Sequence, residues 1–339
     1  MKNEEISLLR AAEIIRGGGL VAIPTETVYG LAANAMDSKA VARIFEAKNR
    51  PSFDPLIVHV DSMEMLGRIV ASIPDDARRL MEAFWPGPLT FVLPKRPEVP
   101  DIVTSGLPTV AVRMPAHPLA LELIRQTGLP LAAPSANPFG YISPTTPEHV
   151  RTQLGPAVDF ILDGGPCAIG IESTILGWED GRAVLLRLGG LPVEKIEEVI
   201  KTWGPPRPSG TPPQEGNLTW CSPSQEGNCA MVIAPGQLAS HYAPRTPLRC
   251  VGREFVPPAN QRNGWLGLAH PVHLERYARC EILSSCGDLR EAAAGLFAAM
   301  HRLDAAPLDA IYAEVFPEVG LGRAINDRLR RAAGMKNEK

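Results

Sequence analysis

Ile23-Pro24-Thr25-Glu26-Thr27-Val28-Tyr29-Gly30-Leu31-Ala32-Ala33-Asn34 is the stretch on which the reading of this chain turns. The apolar run before it, Leu20-Val21-Ala22-Ile23, has the character of a buried strand. Pro24 has no amide hydrogen to give a ladder, so the strand should stop there. Two threonine hydroxyls, a carboxylate and a phenol then follow within five residues, ahead of Gly30. Polar side chains displayed where a buried strand ends are the material of a ligand crevice in an α/β sheet. The same residues also suit a strand-to-helix turn with capping hydroxyls, and spacing alone leaves both readings open. Gly30 lets the backbone turn or approach a ligand closely.

Working outward, the flanks read as alternating helices and strands. Residues 6–16 place apolar groups at helical spacing, and Gly17-Gly18-Gly19 stops that helix. Asp37-Ser38 offers a cap for a helix over 39–48 that ends in Lys48-Asn49-Arg50-Pro51. Strands are predicted at Leu56–Val60, Leu89–Leu93, Thr109–Arg113, Leu129–Ala133 and Val158–Leu162, with helices near 62–70, 75–84 and 117–127. Thr146-Pro147-Glu148 is a cap, a first-turn proline and a first-turn acid in order. Ile171–Leu176 and Ala183–Leu188 read as a hairpin across Glu179-Asp180-Gly181, and a helix from about 192 to 202 closes this part. Consecutive strands argue for a mixed sheet rather than a doubly wound parallel one. From Gly204 to about Gly236 the chain is rich in Pro, Gly, Ser, Gln and Asn, as in a linker. Beyond it, short strands (248–251, 265–268, 281–283, 310–312) alternate with helices (288–303, 322–333), the pattern of a small parallel α/β domain. The expected division is 1–204, a linker over 205–244, and 245–339.

Composition narrows the function. The 339 residues suffice for two domains. The formal charge is −3, which gives no global basic field for nucleic acid. Residues 1–204 carry a net −5 and the remainder +2. No apolar run is long enough to span a membrane, and the charged start Met1-Lys2-Asn3-Glu4-Glu5 does not resemble a secretory signal. The six cysteines form no Cys-x-x-Cys pair, so no zinc knuckle or redox motif is expected, and a reduced cytoplasmic interior fits best. His270-x-x-His273 is the nearest approach to a metal pair, and no third ligand stands near it in sequence.

The chemistry-bearing residues gather at strand ends. Lys48-x-Arg50 suits phosphate oxygens, Arg as a fork and Lys as a point charge, or else a solvated helix end. Arg113 and Arg187 each end an apolar strand and need an anionic partner, either a structural carboxylate or a substrate. Ser135, Asn137, Ser143, Ser173 and Thr174 repeat the theme of short polar side chains at strand ends, which makes a concave polyanion site a reasonable expectation. There is no phosphate-loop motif, serine nucleophile elbow, catalytic-cysteine signature or H-E-x-x-H. An enzyme built this way would work by positioning and electrostatics.

These residues resemble a known family. Pro24–Leu31, Lys48–Pro51 with Pro55–His59, Trp85–Thr90, Thr109–Pro115, Ala133–Asn137 and Glu172-Ser173-Thr174 are similar, in order and spacing, to the successive motifs of the YrdC-like threonylcarbamoyl-AMP synthases. His241-Tyr242-Ala243-Pro244 and Gly320-Leu321-Gly322-x-Ala324-Ile325-Asn326-x-Arg328-Leu329 resemble the linker and extra domain of the long form. The resemblance implies a twisted mixed sheet with helices, followed by a smaller Rossmann-like α/β domain. It implies that L-threonine, bicarbonate and ATP give threonylcarbamoyl-AMP and pyrophosphate, and that a downstream threonylcarbamoyl transferase uses the product on a tRNA adenosine. By motif position, Thr27, His59, Arg113, Ala133 and Ser173 would line the threonine site. Arg50, Thr109, Ser135, Asn137, Ser143, Arg187 and His241 would face ATP, with Lys48 adding positive charge and Tyr242 acting in a lid. Mg²⁺ would arrive with the ATP phosphates rather than in an all-protein cage.

Two positions depart from the family pattern. Asp54, placed with the ATP residues, stands where relatives more often have Asn or Lys, and an anion there would repel phosphate. The segment Ala234-Pro235-Gly236-Gln237-Leu238-Ala239-Ser240 lacks the lysines that related linkers carry before His-Tyr. A competing reading is a double-stranded RNA or tRNA-binding module without catalysis, against which the net −5 of residues 1–204 stands. Another is the carbamoyl-transfer domain of hydrogenase-maturation proteins, whose zinc-finger cysteine pairs are missing here.

Overall fold

The computed structural model describes residues 2–179, 181–200, 203–204 and 241–334. In the first domain the strands are β1 (Val21–Ile23), β2 (Gly30–Asn34), β3 (Ile57–His59), β4 (Leu89–Pro94), β5 (Thr109–Arg113), β6 (Leu131–Ala132), β7 (Phe160–Ile161), β8 (Thr174–Glu179), β9 (Arg182–Arg187) and β10 (Trp203–Gly204). The helices are α1 (Lys2–Arg16), α2 (Ser38–Lys48), α3 (Met63–Leu66), α4 (Asp75–Phe84), α5 (Asp101–Thr104), α6 (Pro118–Thr127), α7 (Pro147–Leu154) and α8 (Val193–Val199). The strands form one sheet in the order β10-β9-β8-β4-β5-β3-β6-β2-β1-β7, with parallel and antiparallel neighbours mixed. The second domain has β11 (Leu248–Val251), β12 (Asn263–Gly267), β13 (Arg279–Ile282) and β14 (Ala310–Glu314), with α9 (Leu289–Asp304) and α10 (Leu321–Ala332). Its sheet runs β11-β14-β12-β13 and every pair is parallel, as the alternating pattern implies.

Period-two alternation sorts the central strands onto two faces. Val58, Phe91, Leu93, Val110, Val112 and Leu176 point into the main core. Ile57, Val92, Ala111 and Ile175 form a small separate cluster on the other face, with Leu186 against it. The site lies on this second face. A bulge extends it: Ile175 pairs with Arg187 and Leu176 with Leu185, so Leu186 has no partner in the ladder. Bulges re-aim side chains, and here two consecutive residues of β9 serve the same face.

Several boundaries differ from the sequence reading. The opening stretch is not a strand-to-helix turn. It crosses between antiparallel β1 and β2, and the helix begins only at Ser38, capped by the Asp37 carboxylate. The Gly30 segment extends because its edge finds partners in both β1 and β6. Helix α3 is a single turn rather than 62–70. Helix α8 ends at Val199, short of the expected 202, and just beyond it Trp203–Gly204 add β10 parallel to β9. The hairpin starts at Thr174, because Glu172 and Ser173 make side-chain and loop contacts instead of a ladder. Of the linker expected over 205–244, residues 205–240 lie outside the described residues.

The second domain packs directly on the first. Val28, Ile142 and Ile171 share an apolar cluster with Tyr242, Leu296, Phe297 and Ile325. Gly170 makes the approach of α9 possible: a Cβ there would sit 2.5 Å from Ala294 Cα, and its φ is +76°. No helix among the described residues is long and apolar enough to cross a membrane.

Candidate functional site

One cleft of about 550 Å³, counted with its open mouth, gathers most of the strand-end residues. Thr27, Arg50, His59, Arg113, Ala133, Ser135, Ser173, Arg187, His241 and Tyr242 all line it, beside Thr25, Val28, Ile57 and Glu172.

On one side the loop after β1 folds on itself. Thr25 Oγ1 lies 2.8 Å from Thr27 Oγ1 and donates to Val28 O, which holds the loop in a tight turn. Arg113 at the end of β5 donates through Nη1 to Thr27 Oγ1 (2.8 Å) and through Nε to Gly87 O (3.1 Å). Its anionic partner, left open by the sequence, is Glu26, 2.6 Å from Nη2. Glu26 also accepts from the Ala116 amide. It is a residue the site prediction missed, although it sits in the middle of the decisive stretch. His59 pairs with Arg113 across β3 and β5. Burial and the neighbouring Arg113 charge push its imidazole down to about 3, so it is neutral at physiological pH, and Nδ1 has no hydrogen-bond partner.

The opposite side is cationic. Arg187 donates through Nη2 and Nε to Ser173 O (2.9 and 3.2 Å) and through Nη2 to Ser173 Oγ (3.3 Å). Ser173 Oγ also meets Thr90 Oγ1 at 2.7 Å. Arg50 is anchored by Nε to Asp54 O (2.9 Å) and by Nη2 to Pro55 O (2.8 Å), and Nη2 is 3.0 Å from the Asp54 carboxylate. Asp54 is fully buried, and burial raises its carboxyl above the ordinary value even though Arg50 opposes this. Its charge is therefore turned onto Arg50 rather than presented on the cleft wall.

Lys48 is not the frayed, solvated helix end that its sequence position suggests. Asn49 closes α2 in the left-handed conformation, and Lys48 is 1% exposed. Its Nζ donates to Ser135 O (2.6 Å) and Asn137 O (2.5 Å). Burial, reinforced by Arg50, lowers its pKa well below the usual lysine range. Lys48 thus ties α2 to the Ser135 loop from behind the cleft. Asn137 stands in the same support, donating to Pro138 O and Tyr141 O (2.9 Å each). Thr109 shares the cleft face of β5 by alternation with Ala111 and Arg113, but at the far end of the strand. Ser143 is also off the wall, and donates to Glu172.

Glu172 and Arg328 are the second omission. Glu172 Oε2 accepts from Arg328 Nε at 2.7 Å, across the two domains. Burial would raise the Glu172 carboxyl, but Arg328, Arg187 and the Ser143 hydroxyl outweigh it and hold it below its ordinary value. Both residues lay inside quoted motifs, yet only the fold shows that they meet.

His241 and Tyr242 close the cleft from above. The His241 amide donates to Arg331 O of α10 (3.2 Å), and the Ala243 amide to Gly140 O (2.8 Å). The His241 ring packs edge-on against Phe139 (5.7 Å) and Tyr242 against Phe297 (5.6 Å). Burial, together with Arg50, Lys48, Arg187 and Arg328, lowers the His241 pKa well below its ordinary value. The part of the expected lid over 234–240 lies outside the described residues.

Known proteins share this arrangement. Residues 13–189 match the Sua5–YciO–YrdC family model, described as "Telomere recombination", and residues 191–334 match the "Threonylcarbamoyl-AMP synthase, C-terminal domain" model. The threonylcarbamoyl-AMP synthase of Bacillus subtilis is 42% identical over 98% of this chain and 95% of its own length. That of Pyrococcus abyssi is 42% identical over 98% and 96%. The crystal structure of P. abyssi Sua5 complexed with L-threonine superposes with a TM-score of 0.84 at 40% identity, covering 97% of this chain and 94% of that one. A variant of the same protein with an adjacent His and Tyr replaced by alanine gives the same TM-score.

Proposed function

The chain belongs to the Sua5–YciO–YrdC family in its two-domain form, and on that premise we propose that it condenses L-threonine, bicarbonate and ATP into threonylcarbamoyl-AMP. The threonine amine takes up bicarbonate, losing water, to give a carbamate. A carbamate oxygen attacks the α-phosphorus of ATP, and the bond to pyrophosphate breaks. The observation that carries this reading is the polarity of the cleft: Thr27, His59 and Arg113 on one side, Arg50 and Arg187 on the other, with no cysteine among the described residues that line it.

Each group has a task its environment suits. Arg113, fixed on three sides, would receive the threonine carboxylate. His59 is too weak a base at a pKa of about 3 to take the ammonium proton at neutral pH, so its free Nδ1 serves as a hydrogen-bond acceptor that orients the amino acid. Arg50, Arg187 and Ser135 would hold the triphosphate, and the two guanidinium groups oppose the charge that builds on the departing pyrophosphate. Mg²⁺ comes as part of the ATP substrate. No group of three or more His, Cys, Asp and Glu side chains is placed for a metal among the described residues, and Glu26 and Glu172 at the cleft are already ion-paired. Magnesium would accordingly be held through phosphate oxygens and water. His241 and Tyr242 cover the cleft, which would shield the mixed anhydride from hydrolysis. We assign the product to a downstream transferase acting on a tRNA adenosine, and the reaction to the cytoplasm.

The test is pyrophosphate release from ATP with and without L-threonine and bicarbonate. Release that requires both is the expected result. Folded protein with Mg²⁺ present that shows no threonine-dependent release, yet binds RNA with a steep salt dependence, would overturn the reading in favour of a binding module.

A further inference from the structure

The Glu172–Ser173 wall of the cleft is held between two buried arginines from different domains. Arg187 grips it from the cleft side through Ser173 O and Oγ. Arg328, on α10 of the second domain, is 0% exposed and grips it from behind. Arg328 Nε donates to Glu172 Oε2 (2.7 Å), Nη2 donates to Leu188 O (2.9 Å), and Nη1 meets Asp327 (2.8 Å). Its guanidinium carbon also stands 5.1 Å from the centre of the Tyr242 ring. Ser143 supplies Glu172 with a further donor. Glu172 itself lines the cleft, within electrostatic reach of both arginines.

A buried carboxylate that loses one cation turns to the next nearest, because an uncompensated charge in a dry site is expensive. For Glu172 the other arginine at hand is Arg187, which is hydrogen-bonded to the adjacent Ser173 and acts on the Glu172 charge. We propose that Arg328 is a positioning residue for the nucleotide: by holding Glu172 from the second domain, it keeps that negative charge from being drawn onto Arg187, where it would compete with the ATP phosphates. The inference rests on the assignment of Arg187 to ATP. It gives the second domain a share in the nucleotide site through one side chain. It also weighs more on the nucleotide than on threonine: of the residues assigned to threonine, only Ser173 adjoins the Glu172–Arg328 pair.

The test uses the full-length protein and calorimetric titration with a non-hydrolysable ATP analogue, and separately with L-threonine. Arg328→Met should weaken analogue binding at least about tenfold, the loss typical of unpairing one partner of a buried charge pair. Threonine binding should stay within about threefold of wild type, because Thr27, His59 and Arg113 make their own contacts and only Ser173 adjoins the mutated pair. Adding Glu172→Gln to Arg328→Met removes the stranded charge and should restore most of the lost nucleotide affinity. Arg328→Lys, which keeps the charge without the fork, should bind the analogue nearly as well as wild type. If Arg328→Met does not fold, the double variant and Arg328→Lys carry the same comparison. A double variant no better than the single one, a lysine variant as weak as methionine, or threonine affinity falling in step would each overturn the inference. Failure of the underlying reading looks different: wild type would bind no analogue, or Arg187→Met would leave its binding unchanged.

Discussion

Acidification should unfold this protein earlier than its carboxylates alone would dictate, and His59 supplies a measurable part of the effect. The imidazole is 3% exposed, and burial with Arg113 nearby holds its native pKa at about 3, against 6.5 for the free side chain. The unfolded chain therefore binds the His59 proton at a pH where the native protein does not. The stability this residue contributes is fully present above pH 6.5 and is lost as the pH falls through the window from 6.5 towards 3. At pH 5 the unfolded state is 1.5 units into that window, and at 1.36 kcal/mol per unit the loss is about 2 kcal/mol. The figure at pH 5 does not depend on how far below 5 the native value lies. His241 acts in the same direction, since its pKa is also lowered by burial and the surrounding cations. Asp54 acts in the opposite direction, because its raised carboxyl takes a proton in the native state before it does in the unfolded one. The clean readout is thus a difference between variants: urea unfolding of wild type and His59→Asn from pH 7.5 to 5. The variant should lose about 2 kcal/mol less over that range. Parallel curves would refute the reasoning, and would mean that His59 takes up its proton in the folded protein.

Three substitutions test the supports of the site. Gly189→Ala would place a Cβ 2.3 Å from Ser173 C and 2.4 Å from Glu172 O. Backbone cannot yield cheaply, so a stability loss of about 2–3 kcal/mol in thermal unfolding is expected. A fall of about 10–100-fold in kcat/KM for ATP should accompany it, because the wall itself is displaced. Lys48→Met strips Ser135 O and Asn137 O of their shared buried donor. It should cost about 2–4 kcal/mol in urea unfolding. Phe297→Ala removes a fully buried ring packed on Tyr242, which should cost about 3–5 kcal/mol and be read as an earlier thermal transition.

Legibility in the sequence followed the range of the forces involved. Local signals were sound: the Asp37 and Thr146 caps, the period-two strands and the second domain's alternation all reappear, since capping and alternation depend on neighbours in the chain. The residues that reach the cleft were also legible, because a polar group that ends an apolar strand has few other uses. What the chain could not display was the identity of long-range partners. Arg113 demanded an anion, but Glu26 stands 87 positions earlier in the chain, and only the sheet brings the two together. Lys48 looked solvated because a cation at a helix end usually is. Its two acceptors lie 87 and 89 residues away. The β10 strand was missed for the same reason, its pairing with β9 being a tertiary choice that overrides local propensity.

The electrostatic design of the cleft explains why a site for a polyanion can carry two carboxylates. Lys48, Arg50, Arg187 and Arg328 are all buried, and a buried cation without a partner would destabilise the fold in the absence of ligand. Asp54 and Glu172 answer that cost, each in its own way: Asp54 is fully buried against Arg50 and off the cleft lining, whereas Glu172 lines the cleft but is ion-paired to Arg328 behind it. Backbone carbonyls do the rest, at Ser135, Asn137, Pro55, Ser173 and Leu188. Carbonyl dipoles fix a guanidinium or ammonium group without cancelling its charge. On the proposed reading, the cations would thereby be oriented before ATP arrives, in a place where water screens them little, and would not need to reorganise when charge moves to the leaving pyrophosphate. The aspartate at position 54 is compatible with phosphate binding on this account, because its charge is spent on aiming Arg50. Asp54→Asn should therefore alter nucleotide affinity by less than threefold, whereas Arg50→Lys, which cannot reach Asp54 O and Pro55 O as one planar fork, should weaken it about tenfold or more. Equal losses in the two variants would show that the carboxylate meets the nucleotide directly.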